Sequence, residues 1–258
     1  MRIVSLVPSL TETVHDLGLG GSLVGVTKFC VRPVTARDTA AVIGGTKDPD
    51  VERIRQLRPE LVLADEDENK PDDLRALRDA GINVHVTGIE TVNDVARELR
   101  SIGLLLGVSH EAEKYAGDLQ EKANQLAGAA HVGAPLACFV PIWKRPLMTM
   151  GRRTYMSDLL RTLGGRNVFD DAEKKYFEVA TEEVRVREPD AILLPTEPYR
   201  FRESDRGGFA ERFEVPLDAV RIVDGQAFTW FGTHSIRGLD VLAESLAAVR
   251  GQAKPASR

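Results

Sequence analysis

The chain has 258 residues, 43% of them hydrophobic, enough apolar material for one large domain or two smaller lobes with real cores. Its 34 basic and 39 acidic residues leave a net charge of -5, so no basic excess exists to neutralise a phosphate backbone, and nucleic acid is not an expected partner. No apolar stretch reaches the roughly 20 residues that span a bilayer, and the two cysteines, Cys30 and Cys138, lie far apart without metal-type spacing and read as free thiols.

The opening segment RIVSLVPSLTE begins with a short apolar strand, Ile3 to Val7, which Pro8 stops. Ser9-Leu-Thr-Glu12 matches a capping box and predicts a helix starting at Ser9, with Leu10, Val14 and Leu17 on one face and Gly18 and Gly20 at its end. Strand-like runs follow at Leu23 to Val26, Ala41 to Ile43, Leu61 to Ala64 and Val84 to Thr87, separated by helical patterns near 49–57 and 71–80. That alternation predicts a parallel α/β sheet. No charged and apolar leader precedes the first strand, so the chain as written is not expected to be exported.

A helical pattern over 91–106 breaks at Gly107 and Val108, and a long polar helix is predicted from Ser109 to about Ala130. Its narrow apolar stripe, Ala112, Tyr115, Leu119 and Leu126, suits a connector between lobes. The alternation resumes with LACFVPI, LMTM, a helix over about 154–163, then AILLP and RIVD before a last helix. The chain thus reads as two α/β halves, with 252–258 as a disordered tail.

No GxSxG, Walker, HExxH or GxGxxG motif is present. The histidines, His15, His85, His110, His131 and His234, are scattered, so no metal cage and no resident cofactor are expected. Aromatic residues recur after strand ends: Phe29, Trp143, Phe177, Tyr199 and the pair Trp230-Phe231. Placed there, they suit the wall of a site for a large flat ligand, although packing between helix and sheet is the alternative for each. Arg32, Arg152, Arg153 and Arg237 are candidate donors to anionic groups, or solvated charges.

The segments RIVSLVPSLTE, VERIRQLRPELVLA, GRRTYMSDLLRTLGGRNVF and TWFGTHSIR occur in one order, and on them the chain resembles the helical-backbone, class III substrate-binding proteins of ABC importers. The resemblance implies a non-enzymatic receptor of two Rossmann-like α/β lobes joined by a single long helix, with a ligand cleft between the lobes. The N-terminal lobe would be 1–107, the connector 108–131 and the C-terminal lobe 132–258. It implies a monomer that serves a transmembrane ABC permease, in the periplasm or at the cell surface. That location sits against the missing leader and leaves a cytoplasmic alternative open.

In corrinoid-binding members of that family an aromatic after the second strand and an aspartate-tryptophan-phenylalanine loop touch the corrin. The matching positions here are Phe29 and Thr229, Trp230, Phe231, Gly232 and Thr233, with Phe177 and Arg237 as further ligand contacts. Thr229 stands in place of the acid, Phe29 lacks a phenolic hydroxyl, and Asp65 occupies a tryptophan position. Docking to the permease is carried in the family by one acid on each lobe; the candidates are Asp72, beside a Pro71 that takes the glutamate position, and Glu203.

A corrinoid, cobalamin-like ligand is therefore expected. A ferric siderophore, using Arg152, Arg153 and Arg237, or haem, with Tyr155, Tyr199 or His234 as axial ligand, is the alternative in the same class. From another class, a tetrapyrrole metal chelatase would need a histidine and carboxylate pair, and the sequence offers His234 with no partner visible.

Overall fold

The computed structural model describes residues 1–130 and 134–251. The expected tail, 252–258, and His131 at the end of the expected connector lie outside the described residues. The chain divides into two units: residues 1–89, 93–119 and 231–234 form the first, and 90–92, 120–230 and the segment from Ser235 form the second.

The first unit is built on five parallel strands: β1 (Ile3–Ser5), β2 (Leu23–Val26), β3 (Ala41–Val42), β4 (Leu61–Asp65) and β5 (Val84–Thr87). Their order is β3-β2-β1-β4-β5, so the chain reverses direction across the sheet between β1 and β4. Helices cover both faces, which is why β1 and β4 are buried at every residue and read as unbroken apolar runs. The helices are α1 (Pro8–Asp16), α2 (Ala36–Thr39), α3 (Val51–Leu57), α4 (Pro71–Asp79), α5 (Val92–Leu106) and α6 (Ser109–Ala130). Ile54, Leu74 and Leu77 from α3 and α4 pack on Val4, Leu6 and Val62 of the β1 and β4 segments. The helix α6 contributes its residues up to Leu119 to this unit and the rest to the second.

One local expectation fails. The first helix starts at Pro8, with extended Val7 as its cap and no side-chain capping bond, rather than at Ser9. Proline at the first position needs no amide acceptor and already holds a helical φ, so the capping box is not required. Ser9 is buried with its hydroxyl unpartnered, and the Glu12 carboxylate is engaged elsewhere, as described below.

The second unit holds four parallel strands, β6 (Leu136–Phe139), β8 (Gly165–Asn167), β10 (Ala191–Pro195) and β11 (Val220–Val223), in the order β11-β10-β6-β8. Here the reversal falls between β6 and β10. The expected strand at LMTM, β7 (Met148–Met150), leaves the main sheet and pairs antiparallel with β9 (Tyr176–Glu178). Its place beside β6 goes to β8, whose Gly-Arg-Asn carries no apolar run to announce a strand. The helices are α7 (Tyr155–Thr162), α8 (Thr181–Arg185), α9 (Arg206–Phe213), α10 (Gly225–Thr229) and α11 (His234–Arg250).

Aromatic rings dominate this core. Phe139 lies 5.2 Å from Phe213 and 6.2 Å from Phe169, and Phe201 lies 5.5 Å from Phe209, centroid to centroid. The offsets are largely edge-to-face, the arrangement the ring quadrupoles favour.

Candidate functional site

In open α/β sheets a ligand is met by loops at the carboxyl ends of strands, at the point where strand order reverses. In the first unit those loops follow β1 and β4, with the loop after β2 one strand to the side. The loop after β2 presents Phe29, half of whose surface (50%) is exposed. The turn that holds it is rigid: Phe29 N–H donates to the Thr27 hydroxyl (3.3 Å), and the Thr11 hydroxyl donates to Cys30 Sγ (3.0 Å). Cys30 and Cys138 are both free and buried, and burial pushes both thiols up, Cys138 to about 12, which removes them as nucleophiles.

Asp65, where β4 ends, is buried. Its carboxylate accepts from the Thr87 hydroxyl (2.7 Å) and from the amides of Asp67 (3.0 Å) and Glu68 (3.2 Å). Burial outweighs these bonds and raises its pKa to about 6. Its contacts make it an anchor for its own loop.

The segment 231–234 docks on α1, and here the structure adds what sequence reasoning missed. His234 Nδ1 lies 2.8 Å from Glu12 Oε2, and Thr233 donates its hydroxyl to Asp16 Oδ2 (2.6 Å) and its amide to Thr13 Oγ1 (3.3 Å). Partial burial raises the Asp16 carboxyl, against the Thr233 bond that lowers it. Gly232 has φ +84°, and a Cβ there would lie 2.2 Å from Thr13 Oγ1, so this position requires glycine. Phe231 is buried. His234 therefore has the carboxylate partner that the sequence did not reveal, but its side chain is only 2% exposed, which fits a structural pin and not a proton shuttle.

In the second unit the reversal point is flanked by the loops after β6 and β10. Trp143, 42% exposed, comes from the first, and Tyr199 from the second; their rings meet edge-on at 5.3 Å, and Tyr199 rests on Phe201 at 4.7 Å. The loop after β10 also carries Glu197. Its Oε1 accepts from Gln226 Nε2 and its Oε2 from the Trp230 indole N–H, each at 3.2 Å. Gly225 makes this possible: a Cβ there would lie 2.2 Å from the Glu197 backbone nitrogen.

Of the other expected residues in this unit, Thr229 turns its hydroxyl back to the Gly225 carbonyl (2.9 Å), Trp230 is buried, and Phe177 is half-buried against Phe169 at 5.5 Å. Arg237 is exposed on the first turn of α11. Arg152 pairs with Glu173, and Arg153 donates to both oxygens of Glu90 at 2.9 and 3.1 Å. Tyr155 is buried, with its hydroxyl donated to Ser235 (2.7 Å) and its pKa pushed upward by desolvation.

The two candidate docking acids share a local design. Asp72, in the first turn of α4, lies 3.1 Å from Arg75, and Glu203 lies 2.9 Å from Arg206. Both carboxylates are largely exposed and paired three residues on. Among the described residues no three His, Cys, Asp or Glu side chains converge as a metal site, and no helix is long and apolar enough to cross a membrane.

The periplasmic binding protein family model matches residues 3–214. A vitamin B12-binding protein of Vibrio cholerae serotype O1 is 26% identical over 243 residues, 94% of this chain and 87% of that protein. An uncharacterized ABC transporter substrate-binding lipoprotein of Bacillus subtilis (strain 168) is 29% identical over 256 residues, 95% of this chain and 79% of that one. Among solved structures, a periplasmic heme binding protein from Pseudomonas aeruginosa has the same fold, with a TM-score of 0.81 at 22% identity over 99% of this chain and 95% of that chain.

Proposed function

Because the chain belongs to the periplasmic binding protein family, and so is the substrate-binding component of an ABC importer rather than an enzyme, we propose that its ligand is a corrinoid, a large flat metal chelate. The observation that carries this reading is the placement of Phe29 and Trp143. Among the described residues they are the exposed phenylalanine and tryptophan, and each follows the carboxyl end of a strand in its own unit. Exposed rings at such positions gain apolar burial when a broad ligand covers them. The expected contacts at Phe177, Thr229–Thr233 and Arg237 belong to the same reading, as do lobes 1–107 and 132–258 with 108–131 as connector.

The rival ligands are less well served. A ferric siderophore calls on Arg152, Arg153 and Arg237; the first two are already paired with glutamates, which leaves it Arg237. Haem calls on an axial ligand, and two of the three candidates, Tyr155 and His234, are buried and bonded within the protein. Tyr199 is the remaining candidate, and its ring is packed against Trp143 and Phe201.

Substrate-binding proteins of ABC transporters work with transmembrane permease and ATPase subunits. In this reading Asp72 and Glu203 are the docking acids and the receptor acts as a monomer. Titration with cyanocobalamin, followed by fluorescence of the two tryptophans, tests the ligand. Saturable quenching is expected at low micromolar ligand. An absence of binding at high micromolar cyanocobalamin, with hemin giving a saturable change instead, would replace the corrinoid by haem.

A further inference from the structure

Glu197 stands at the carboxyl end of β10, beside the reversal of strand order in the second sheet, where a ligand would meet that unit. The carboxylate is half-buried, and the Gln226 amide and the Trp230 indole N–H that donate to it are both neutral. Among the described residues no lysine or arginine pairs with it. An ionised carboxylate has about four lone-pair positions and donates nothing. Two positions are taken, one on each oxygen, so acceptor capacity remains with the full negative charge uncompensated.

Two residues along the same loop, Tyr199 and its neighbour Trp143 supply an aromatic wall. Gly225 and the Thr196 hydroxyl, which accepts the Gly225 N–H at 2.9 Å, fix the backbone on either side. Glu197 is thus preorganised. If it served only to hold Trp230, a neutral acceptor would do as well, and its charge would be a cost in a half-buried place.

We propose that Glu197 is the ligand-facing hydrogen-bond acceptor of the second unit, and that it selects ligands presenting N–H donors while rejecting ligands presenting carboxylates at that face. The assignment rests on the corrinoid reading and sharpens it. A corrin ring carrying carboxamide side chains offers the donors that the carboxylate lacks, whereas the same ring carrying free carboxylates places like charges together. Like-charge juxtaposition is the usual means by which a binding face refuses the wrong partner.

The test compares two ligands on one ring system, cobinamide with amide side chains and cobyrinic acid with carboxylates, by calorimetric titration of the full chain and of Glu197→Gln. The wild-type protein is expected to prefer the amide ring by about tenfold or more, the scale of one hydrogen bond to a charged group. In E197Q, with thermal unfolding checked alongside, the preference should fall by about the same factor, mainly because the carboxylate ring gains affinity. Equal binding of both rings by the wild type, or a preference unchanged in E197Q, would overturn the assignment while leaving the corrinoid reading standing. Binding of neither ring would overturn the corrinoid reading and the assignment with it.

Discussion

Glu12 and His234 lie 222 residues apart in the chain and 2.8 Å apart in the fold. With Asp16 and Thr233 one turn further along α1, they pin the segment 231–234 to the first helix. Removing His234 leaves the partly buried Glu12 carboxylate without this partner, which costs about 1–3 kcal/mol. His234→Ala is therefore expected to lower stability by that amount. Denaturant midpoints for H234A, E12A and the double variant would check it: a strongly sub-additive double variant is expected, because the two residues share one interaction.

Gly232 should tolerate substitution less well than any neighbour in its loop. Gly232→Ala meets both a left-handed backbone and a Cβ position 2.2 Å from Thr13 Oγ1. The backbone term alone is about 1 kcal/mol, and the collision adds to it. Pairing G232A with Thr13→Ala removes the colliding oxygen but leaves the backbone cost. A partial recovery of Tm in the double variant is the expected result.

Asp65 makes stability depend on pH in the less common direction. Its folded pKa is about 6 and its ordinary value 3.8, so between those limits the folded state holds a proton that the unfolded chain releases. Its contribution to stability therefore rises as pH falls from above 6 towards 4, by at most about 3 kcal/mol for a shift of this size. Asp65→Asn keeps an acceptor for the amides of Asp67 and Glu68 and carries no charge. The variant should be more stable than wild type at pH 8, with the difference shrinking towards pH 4.5; urea unfolding at both values reads this directly.

Ligand binding and permease docking should separate by mutation. Phe29→Ala removes an exposed ring held by its own turn, so unfolding should change little, whereas covering that ring with ligand is worth about 1.5 kcal/mol or more and its loss should weaken cyanocobalamin binding about tenfold. Asp72→Ala with Glu203→Ala should leave that affinity unchanged and abolish stimulation of the transporter's ATPase by the loaded receptor. A double variant that still stimulates fully would remove these acids from the docking role.

Much of the fold was legible because its signals are local. The alternating apolar runs and helical patterns, Pro71 at the start of α4, and the break at Gly107 before α6 each declare an element within a dozen residues. The strand β8 was not legible, because Gly165–Asn167 is ordered by its neighbour β6 and not by its own composition. The cap of the first helix departs from the local pattern for a related reason: Ser9 to Glu12 has the right spacing, but Glu12 is drawn to a histidine near the other end of the chain.

The same division holds for the site. Sequence alone determined the two α/β halves, the aromatic residues after strand ends and the family resemblance, because periodicity and residue type survive without coordinates of any neighbour. Only the tertiary structure decided which aromatics are spent on the core and which, like Phe29 and Trp143, remain exposed. It alone placed Glu197 against Trp230 and Glu12 against His234. Charge partners are set by how strands are ordered and which loops that ordering brings together, a property carried by long-range packing and by no short stretch of the chain.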